Sequence, residues 1–274
     1  MSVSKIKSLI LLILALAAAF LLVLVVPSRT RQSREARELH EMLSKQFEAY
    51  DVTLEGESLP TSATLFAVEP AGTEELTVMR ALLGETVQAE ETATRYESRY
   101  VSELGECTLT HNGQIAASFH GGKSIRDPEG NTQKLLRGMQ LQAAGLETEQ
   151  TGRTVTVHVE QQLLGVPVCS GGLDFTYEND VLTAVSGTVF LGTDSLTRTS
   201  EQTCISCADA LVRLLSGRDS LGWMGSRISG LEQCYRPVET ASGFRLIPVW
   251  RIETDTGTFV VNGITREVEL ESGT

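Results

Sequence analysis

The stretch FRLIPVWRIE, residues 244–253, carries the β pattern on which the fold depends. Trp250 stands in a run that predicts a central strand, so we expect its indole to be buried. The segments TFVVN (258–262) and TREVEL (265–270) follow closely, with a hairpin turn after Asn262. Such short connections join antiparallel strands, because a parallel crossover needs a dozen or more residues. The sequence therefore predicts an antiparallel sheet at the C-terminus.

Upstream of this stretch, helices alternate with groups of strands. The spacing of apolar residues predicts helices over 74–83, 132–144 and 205–215. Each helix precedes strands, which are predicted at 64–68, 95–104, 107–111, 114–119, 154–164, 173–177, 181–191 and 228–235. No β-α-β alternation occurs, so a parallel sheet is not expected. The predicted class is α+β, with antiparallel sheets that are each covered by a helix.

Two stretches are candidate boundaries between domains. One is the segment 121–130, which contains proline and glycine, and the other is the polar segment 147–152. Since the helix-then-strands pattern occurs on both sides, we expect two related lobes, 51–147 and 151–274.

Residues 9–26, LILLILALAAAFLLVLVV, predict a transmembrane helix. Eighteen residues at 1.5 Å each span about 27 Å, close to the roughly 30 Å core of a bilayer. The small residues lie mid-run instead of forming a cleavage site, which favours an uncleaved anchor over a signal peptide. Residues 1–8 are expected to be a short cytoplasmic tail. Residues 28–50 are expected to be a stalk helix, with a short dimerisation helix as the alternative.

The orientation of the anchor rests on two rules that disagree. The flank after the anchor carries more basic residues, which favours a cytoplasmic C-terminal domain. A first apolar segment behind a short basic tail, however, usually inserts with its N-terminus inside, and large downstream domains translocate largely regardless of charge. We therefore expect a single-pass membrane protein whose C-terminal domain is extracytoplasmic.

Three alanines within the anchor are candidate contacts to a partner helix. Ala15 and Ala19 are four residues apart and share one face, and Ala18 flanks them. Helices in lipid associate through close packing, which small residues permit. The alternative is that alanine serves here only as an apolar helix former.

The composition excludes nucleic acid as a partner. Residues after position 27 hold 21 basic and 35 acidic side chains, a net charge of −14. Such a domain is repelled by nucleic acid. The five cysteines are too sparse for a secreted disulfide scaffold, and the chain is long enough to bury a core without bridges.

Motifs for catalysis or metal binding are weak. Cys204-Ile-Ser-Cys207 at a predicted helix start has the spacing of a redox pair, but it follows a polar linker instead of a strand of a β-α-β unit. His158 lies in an alternating strand, where it is most simply a side chain on one sheet face. The four histidines lack metal-ligand spacing. We therefore expect no enzyme activity, no cofactor and no metal site.

The C-terminal half resembles the YycI/YycH accessory proteins. The matching passages are Leu164-Gly-Val-Pro-Val168, Gly171-Gly-Leu-Asp-Phe175, Ile205-Ser-Cys-Ala-Asp-Ala-Leu211, Leu246-Ile-Pro-Val-Trp-Arg-Ile252 and Phe259-Val-Val-Asn262. The closing strands are similar to those of PepSY-type modules, and the single anchor makes YycI the nearer match. Two positions depart from the pattern: Gly263 stands where alanine is usual, and Arg266 stands where a turn glycine is common.

The resemblance implies a function. Proteins of this kind are bitopic, face outward in Gram-positive bacteria, and adjust a sensor histidine kinase that governs cell-wall metabolism. They act through transmembrane and ectodomain contacts, without catalysis, and a YycH-like protein is a possible further partner. Two alternatives stay open: a PepSY-type module that inhibits or senses an extracellular peptidase or wall enzyme, and an exported thiol oxidoreductase.

Overall fold

The computed structural model describes residues 34–70, 75–90, 96–190, 196–240 and 243–271. Residues 34–48 form helix α1. The other helices are α2 (Glu75–Leu83), α3 (Pro128–Gly138), α4 (Cys207–Ser216) and α5 (Arg218–Leu221). The strands are β1 (Thr53–Leu54), β2 (Phe66–Pro70), β3 (Gln88–Glu90), β4 (Glu97–Ser102), β5 (Gly105–Thr110), β6 (Gln114–Phe119), β7 (Gln142–Thr151), β8 (Thr154–Leu163), β9 (Val166–Glu178), β10 (Val181–Thr188), β11 (Leu196–Thr203), β12 (Arg227–Thr240), β13 (Gly243–Thr254), β14 (Gly257–Asn262) and β15 (Val268–Leu270).

Eight antiparallel strands form sheet B, in the order β7-β8-β9-β10-β6-β5-β4-β3. Its hairpins use the turns that the sequence favours. Asn179 and Asp180 both have positive φ, 49° and 64°, as a two-residue turn between β9 and β10 requires. Helices α2 and α3 pack on one face of sheet B, over a core that includes Tyr100, Leu173 and Phe175. We call sheet B with these two helices lobe B.

Sheet A is built around β13. This strand pairs along its length with β12, and on its other side with β14 and, at Leu246, with β2. Strand β11 continues from β2, and β15 from β14. Helices α1 and α4 pack on this sheet through residues such as Phe47 and Leu211, around the fully buried Trp250. Sheet A and its helices form lobe A.

Strand β9 belongs to both sheets. Its second half pairs with β8 and β10 in sheet B, while Val168 pairs in parallel with Tyr235 of β12. Gly171 and Gly172 lie where the strand passes between the sheets. A Cβ on Gly172 would stand 2.6 Å from the carbonyl oxygen of Val159, so this close approach of two backbones requires glycine.

Local sequence explains where the helices begin. Asp127 accepts a hydrogen bond from the Gly130 amide at 2.9 Å and caps α3, whose first residue is Pro128. Ser206 accepts one from the Asp209 amide at 3.1 Å and caps α4. The caps satisfy amides that a helix N-terminus leaves without intrahelical partners.

The predicted α+β class is confirmed, because most elements are strands and few are helices. The helix predicted over 132–144 differs from the structure: α3 ends at Gly138, and the following residues enter β7. The polar segment 147–152, predicted as a boundary, lies in the β7–β8 hairpin. Two short pairings, β1 with β12 and β9 with β12, are parallel.

The residue ranges of the two lobes also differ from the predicted ranges 51–147 and 151–274. Lobe B takes residues from 75 to 190, whereas lobe A combines residues 34–70 with 196–271. Long-range pairing explains the difference: β2, from the first half of the chain, pairs with β11 and β13 from the second half. The local pattern of predicted helices and strands does not indicate which strands pair when they are distant in the sequence.

The predicted anchor at 9–26 lies outside the described residues, as does the tail at 1–8. Within the residues that the structure describes, we find no helix that combines the length and the apolar character needed to cross a bilayer.

Candidate functional site: an open acidic sheet face

In the described part of the chain, helices cover sheet B on one face only. Helices α2 and α3 bury its apolar face, while the side chains that alternate with this core point the other way and are exposed or half-buried. We call this second face the open face. One row of paired residues crosses it from edge to edge: Glu147, His158, Asp174, Ser186, Ala116, Thr108, Arg99 and Glu90.

The centre of the open face carries small side chains, and most charged side chains of the face are acidic. The strands in the middle present small side chains such as Ala116, Ser118 and Ser186. Among the described residues, the charged side chains of this face are one arginine, Arg99, and eight carboxylates, namely Glu90, Glu97, Glu106, Glu147, Glu149, Glu160, Asp174 and Glu178. The face therefore presents a negative field to solvent.

Arg99, the one arginine among the described residues of the open face, is already paired with carboxylates. Arg99 hydrogen-bonds to Glu106 and lies 3.4 Å from Glu90. The Glu106 interaction lowers the pKa of that carboxyl and raises the pKa of Arg99. Arg99 thus offsets the charge of one carboxylate at its own edge, and the strands at the opposite edge of the sheet have no described arginine or lysine to offset their carboxylates.

That opposite edge carries a cluster around His158, which we call the carboxylate corner. Nδ1 of His158 lies 2.7 Å from Asp174 Oδ1, and Nε2 lies 3.7 Å from Glu149 Oε2. Glu147 and Glu160 complete the corner. Both ring nitrogens of His158 face carboxylates and neither faces a hydroxyl or thiol, so the arrangement lacks the nucleophile of an acyl-transfer triad. It is suited to binding positive charge.

A cleft of about 350 Å³ opens beside this corner, between the two sheets. Glu160 lines it, and burial followed by the nearby charge of Glu232 raises the pKa of this carboxyl. Arg251 of β13 forms the far wall and is held by Glu271 at 3.1 Å and Glu232 at 4.0 Å. In the described part of the chain, Glu160 has no hydrogen bond or ion pair of its own.

The Cys204–Cys207 pair is in an environment that disfavours redox chemistry. Burial raises the pKa of Cys204, and it raises the pKa of Cys207 to about 12 despite its place at the start of α4. Both thiols therefore stay protonated near neutral pH, whereas a reactive thiol needs a lowered pKa. Cys204 instead packs against the backbone of Gly263.

That packing explains a departure noted in the sequence. A Cβ on Gly263 would clash with the Cys204 sulfur and would stand 2.6 Å from the carbonyl oxygen of Pro248. The space that an alanine would need is thus occupied by the cysteine side chain.

The predicted contact residues Ala15, Ala18 and Ala19 lie outside the described residues. His158 is on a sheet face, as expected, and Trp250 is fully buried, which confirms that prediction.

Across the described ranges, no group of three or more histidine, cysteine, aspartate or glutamate side chains is placed to hold a metal ion. The sequence does not indicate the open face, because the residues of β7, its acidic edge strand, have the pattern of a helix end followed by a linker.

No protein-family model matches the chain, and no curated protein matches it. Among solved structures, the chain is similar to the Bacillus megaterium YpeB C-terminal domain, at 13% identity and a TM-score of 0.35, over 75% of this chain and 100% of that one. A similarity at this TM-score carries no argument about fold or function.

Proposed function

We propose that this chain is a membrane-anchored, non-catalytic regulator that modulates a sensor histidine kinase of a two-component system. In this proposal residues 9–26 hold the protein in the lipid, the domain after them is extracytoplasmic, and a YycH-like protein is a possible second partner. The kinase contacts the helix face of Ala15, Ala18 and Ala19 in the membrane and the open face outside it.

The observation that carries the proposal is the open face. A soluble sheet of eight strands that needs no further contact usually keeps scattered charges of both signs on its solvent side. Here two helices cover one side, and the described residues of the other side include eight carboxylates and one arginine that is already paired. A partner with a basic surface fits this face.

The connection between the anchor and lobe A supports a role in signalling across the membrane. Leu43 and Phe47 of α1 are buried in the core of lobe A. Arg218 holds the end of this helix by donating to the Tyr50 carbonyl oxygen at 2.6 Å. A movement of the stalk helix would therefore act directly on sheet A.

Charge reversal on the open face tests the ectodomain contact. We would purify the full chain in mild detergent and identify co-purifying proteins by mass spectrometry. Changing both Glu147 and Glu149 to lysine should reduce recovery of the kinase at least tenfold, because exposed charges steer and hold a basic partner. The control changes two carboxylates that lie off the open face, Glu129→Lys with Asp219→Lys, for the same change in net charge.

The outcomes separate the alternatives. Loss of the kinase with the open-face variant alone, together with a decrease of wild-type recovery at high salt, supports the proposal. Equal recovery of the kinase with both variants would show that the open face does not contact the kinase. Recovery of a peptidase or wall enzyme in place of a kinase would favour the PepSY-type alternative. A reporter fused after Thr274 should be active outside the cell, and activity inside would reverse the orientation.

A further inference from the structure

Strand β7 is an edge of sheet B that no described segment covers. It pairs with β8 on one side only, and its ten residues make it the longest of the described edge strands. Its pairing with β8 is irregular near Ala143 and regular from Gly145 to Thr151. Residues 147–151 are all exposed. Such an edge presents unpaired N–H and C=O groups, with which an extended segment of another chain can pair.

The turn between β7 and β8 indicates which backbone groups of β7 point outward. The turn consists of residues 152–153, and φ of Gly152 is 65°. A two-residue turn closes on a hydrogen-bonded pair, here Thr151 with Thr154. Hydrogen-bonded and non-hydrogen-bonded pairs then alternate along an antiparallel ladder. Three residues of β7 therefore direct their N–H and C=O groups away from β8, namely Leu146, Thr148 and Gln150.

The side chains of β7 add acidic charge to this edge. Glu147 and Glu149 are exposed on the open face. Glu149 lies 3.7 Å from His158, and Glu147 makes no ion pair with any described residue. If an antiparallel strand were added, one of its side chains would lie directly opposite each glutamate, in the pairs whose Cα atoms are only about 4.5 Å apart. Opposite charges in such pairs stabilise the pairing of strands.

We propose that an extended basic segment of a partner protein adds to β7 as an antiparallel ninth strand of sheet B. Its alternate residues are lysine or arginine and lie opposite Glu147 and Glu149. The residues between them exchange backbone hydrogen bonds with Leu146, Thr148 and Gln150. The partner is the kinase of the proposed function, on which this inference rests, and strand addition is the way in which it binds.

A second copy of this chain fits the same edge less well. When two β7 strands pair about Thr148 with both open faces on one side, Glu147 of one strand lies opposite Glu149 of the other. Like charges directly opposite each other destabilise a pair of strands. A basic segment avoids this repulsion, so the charge of β7 favours a different protein over a dimer.

Peptide binding tests the proposal on the full chain in detergent. The probe is a fluorescent peptide with blocked ends, Lys-Thr-Lys-Thr-Lys-Thr-Lys, which matches residues 145–151 in length. Fluorescence anisotropy measures its binding. In the antiparallel arrangement the threonine amides of the peptide face β7, whereas its lysine amides face solvent. N-methylation of the three threonine amides should weaken binding at least about tenfold, because it removes donors to β7. N-methylation of three lysine amides is the matched control and should change binding little.

A variant of β7 tests the same contact from the other side. Thr148→Pro removes an N–H that points away from β8, which an edge strand tolerates, and leaves the net charge unchanged. It should weaken peptide binding at least about tenfold and reduce recovery of the kinase, because proline cannot donate to an added strand. Thr148→Val keeps the N–H and should preserve both. If Thr148→Pro does not fold, the methylated peptides still test the proposal on the wild type.

The outcomes separate strand addition from the proposed function. Binding that survives threonine N-methylation, or that weakens equally after lysine N-methylation, would overturn strand addition, and recovery of the kinase would then still support the proposed function. Peptide binding as expected without recovery of a kinase would contradict the proposed function alone. A dimeric wild type that becomes monomeric with Thr148→Pro would assign the edge to a second copy and would also overturn the proposal.

Discussion

The indole Nε1 of Trp250 donates a hydrogen bond to the carbonyl oxygen of Ile205 at 2.9 Å, which ties the central strand of sheet A to the segment that enters α4. A second buried tryptophan, Trp223, lies in the same core, yet its Nε1 has no partner in the part of the chain that the structure describes. The two indoles are a matched pair that differ in this hydrogen bond.

This pair leads to the first prediction. Trp250→Ala should lower the free energy of unfolding by about 3–5 kcal/mol, the usual cost of deleting a large buried aromatic side chain. Trp250→Phe should cost more than Trp223→Phe, by about 1–3 kcal/mol, since only the first leaves a buried acceptor unpaired. Denaturant unfolding of the full chain measures both. Equal costs for the two phenylalanine variants would contradict this reasoning.

Gly263 gives the second prediction. Gly263→Ala should destabilise the protein by about 1–3 kcal/mol, because the new Cβ overlaps the Cys204 sulfur and approaches the Pro248 carbonyl oxygen. Adding Cys204→Ala should recover part of this loss, and the recovered part measures the coupling of the two sites. Gly145→Ala is the control, since its Cβ would have only Glu160 Oε2 near it, at 3.9 Å.

The raised pKa of Glu160 predicts a dependence on pH. Because the folded-state pKa is above the unfolded value, ionising this carboxyl costs more in the folded protein, and this cost is present at neutral pH. It disappears as the pH falls through the folded pKa to below the unfolded value of about 4.3. Glu160→Gln should therefore raise the melting midpoint at neutral pH and have little effect in acid, while Glu178→Gln should change little at either pH. A rise in the melting midpoint that is equal at both pH values would mean that the ionisation of Glu160 is not its cause.

Arg218 gives a prediction about the stalk helix. Its guanidinium donates to the carbonyl oxygens of Tyr50, Trp223 and Gly225 at 2.6, 3.1 and 3.2 Å. A lysine cannot reproduce this planar set of donors. Arg218→Lys should therefore speed hydrogen exchange of the amides at the end of α1, and Arg213→Lys on the exposed side of α4 should not. Unchanged exchange would mean that apolar packing alone holds α1.

The proposed anchor at residues 9–26 gives the last prediction. Ala15→Leu combined with Ala19→Leu should abolish regulation of the kinase while insertion and folding of the outer domain persist, because bulky side chains prevent close helix packing. Ala17→Leu is the control, since a helix over residues 9–26 would place this residue on another face. Full regulation by a chain with a foreign anchor would place the function entirely in the outer domain.

Local sequence signals predicted much of the fold. The spans of β6, α2 and β13, and the burial of Trp250, follow from periodicity over a few residues. The signals failed where pairing is distant or a strand is polar on both faces. β7 has few apolar residues because it is an edge strand, so its sequence does not alternate. The open face cannot be recognised from the sequence because it combines side chains from eight strands. The exposed side of each strand alone resembles an ordinary solvated surface.

The insertion of lobe B between the two parts of lobe A has a consequence for biogenesis. Residues 34–70 leave the ribosome early, but β2 pairs with β11 and β13, which are made last. At about 5–20 residues per second, some 200 further residues take about 10–40 s to synthesise. Through that interval residues 66–70 lack their partner strands, while lobe B can already fold. Lobe A can therefore assemble only after β11 and β13 have left the ribosome, whereas lobe B can form before them.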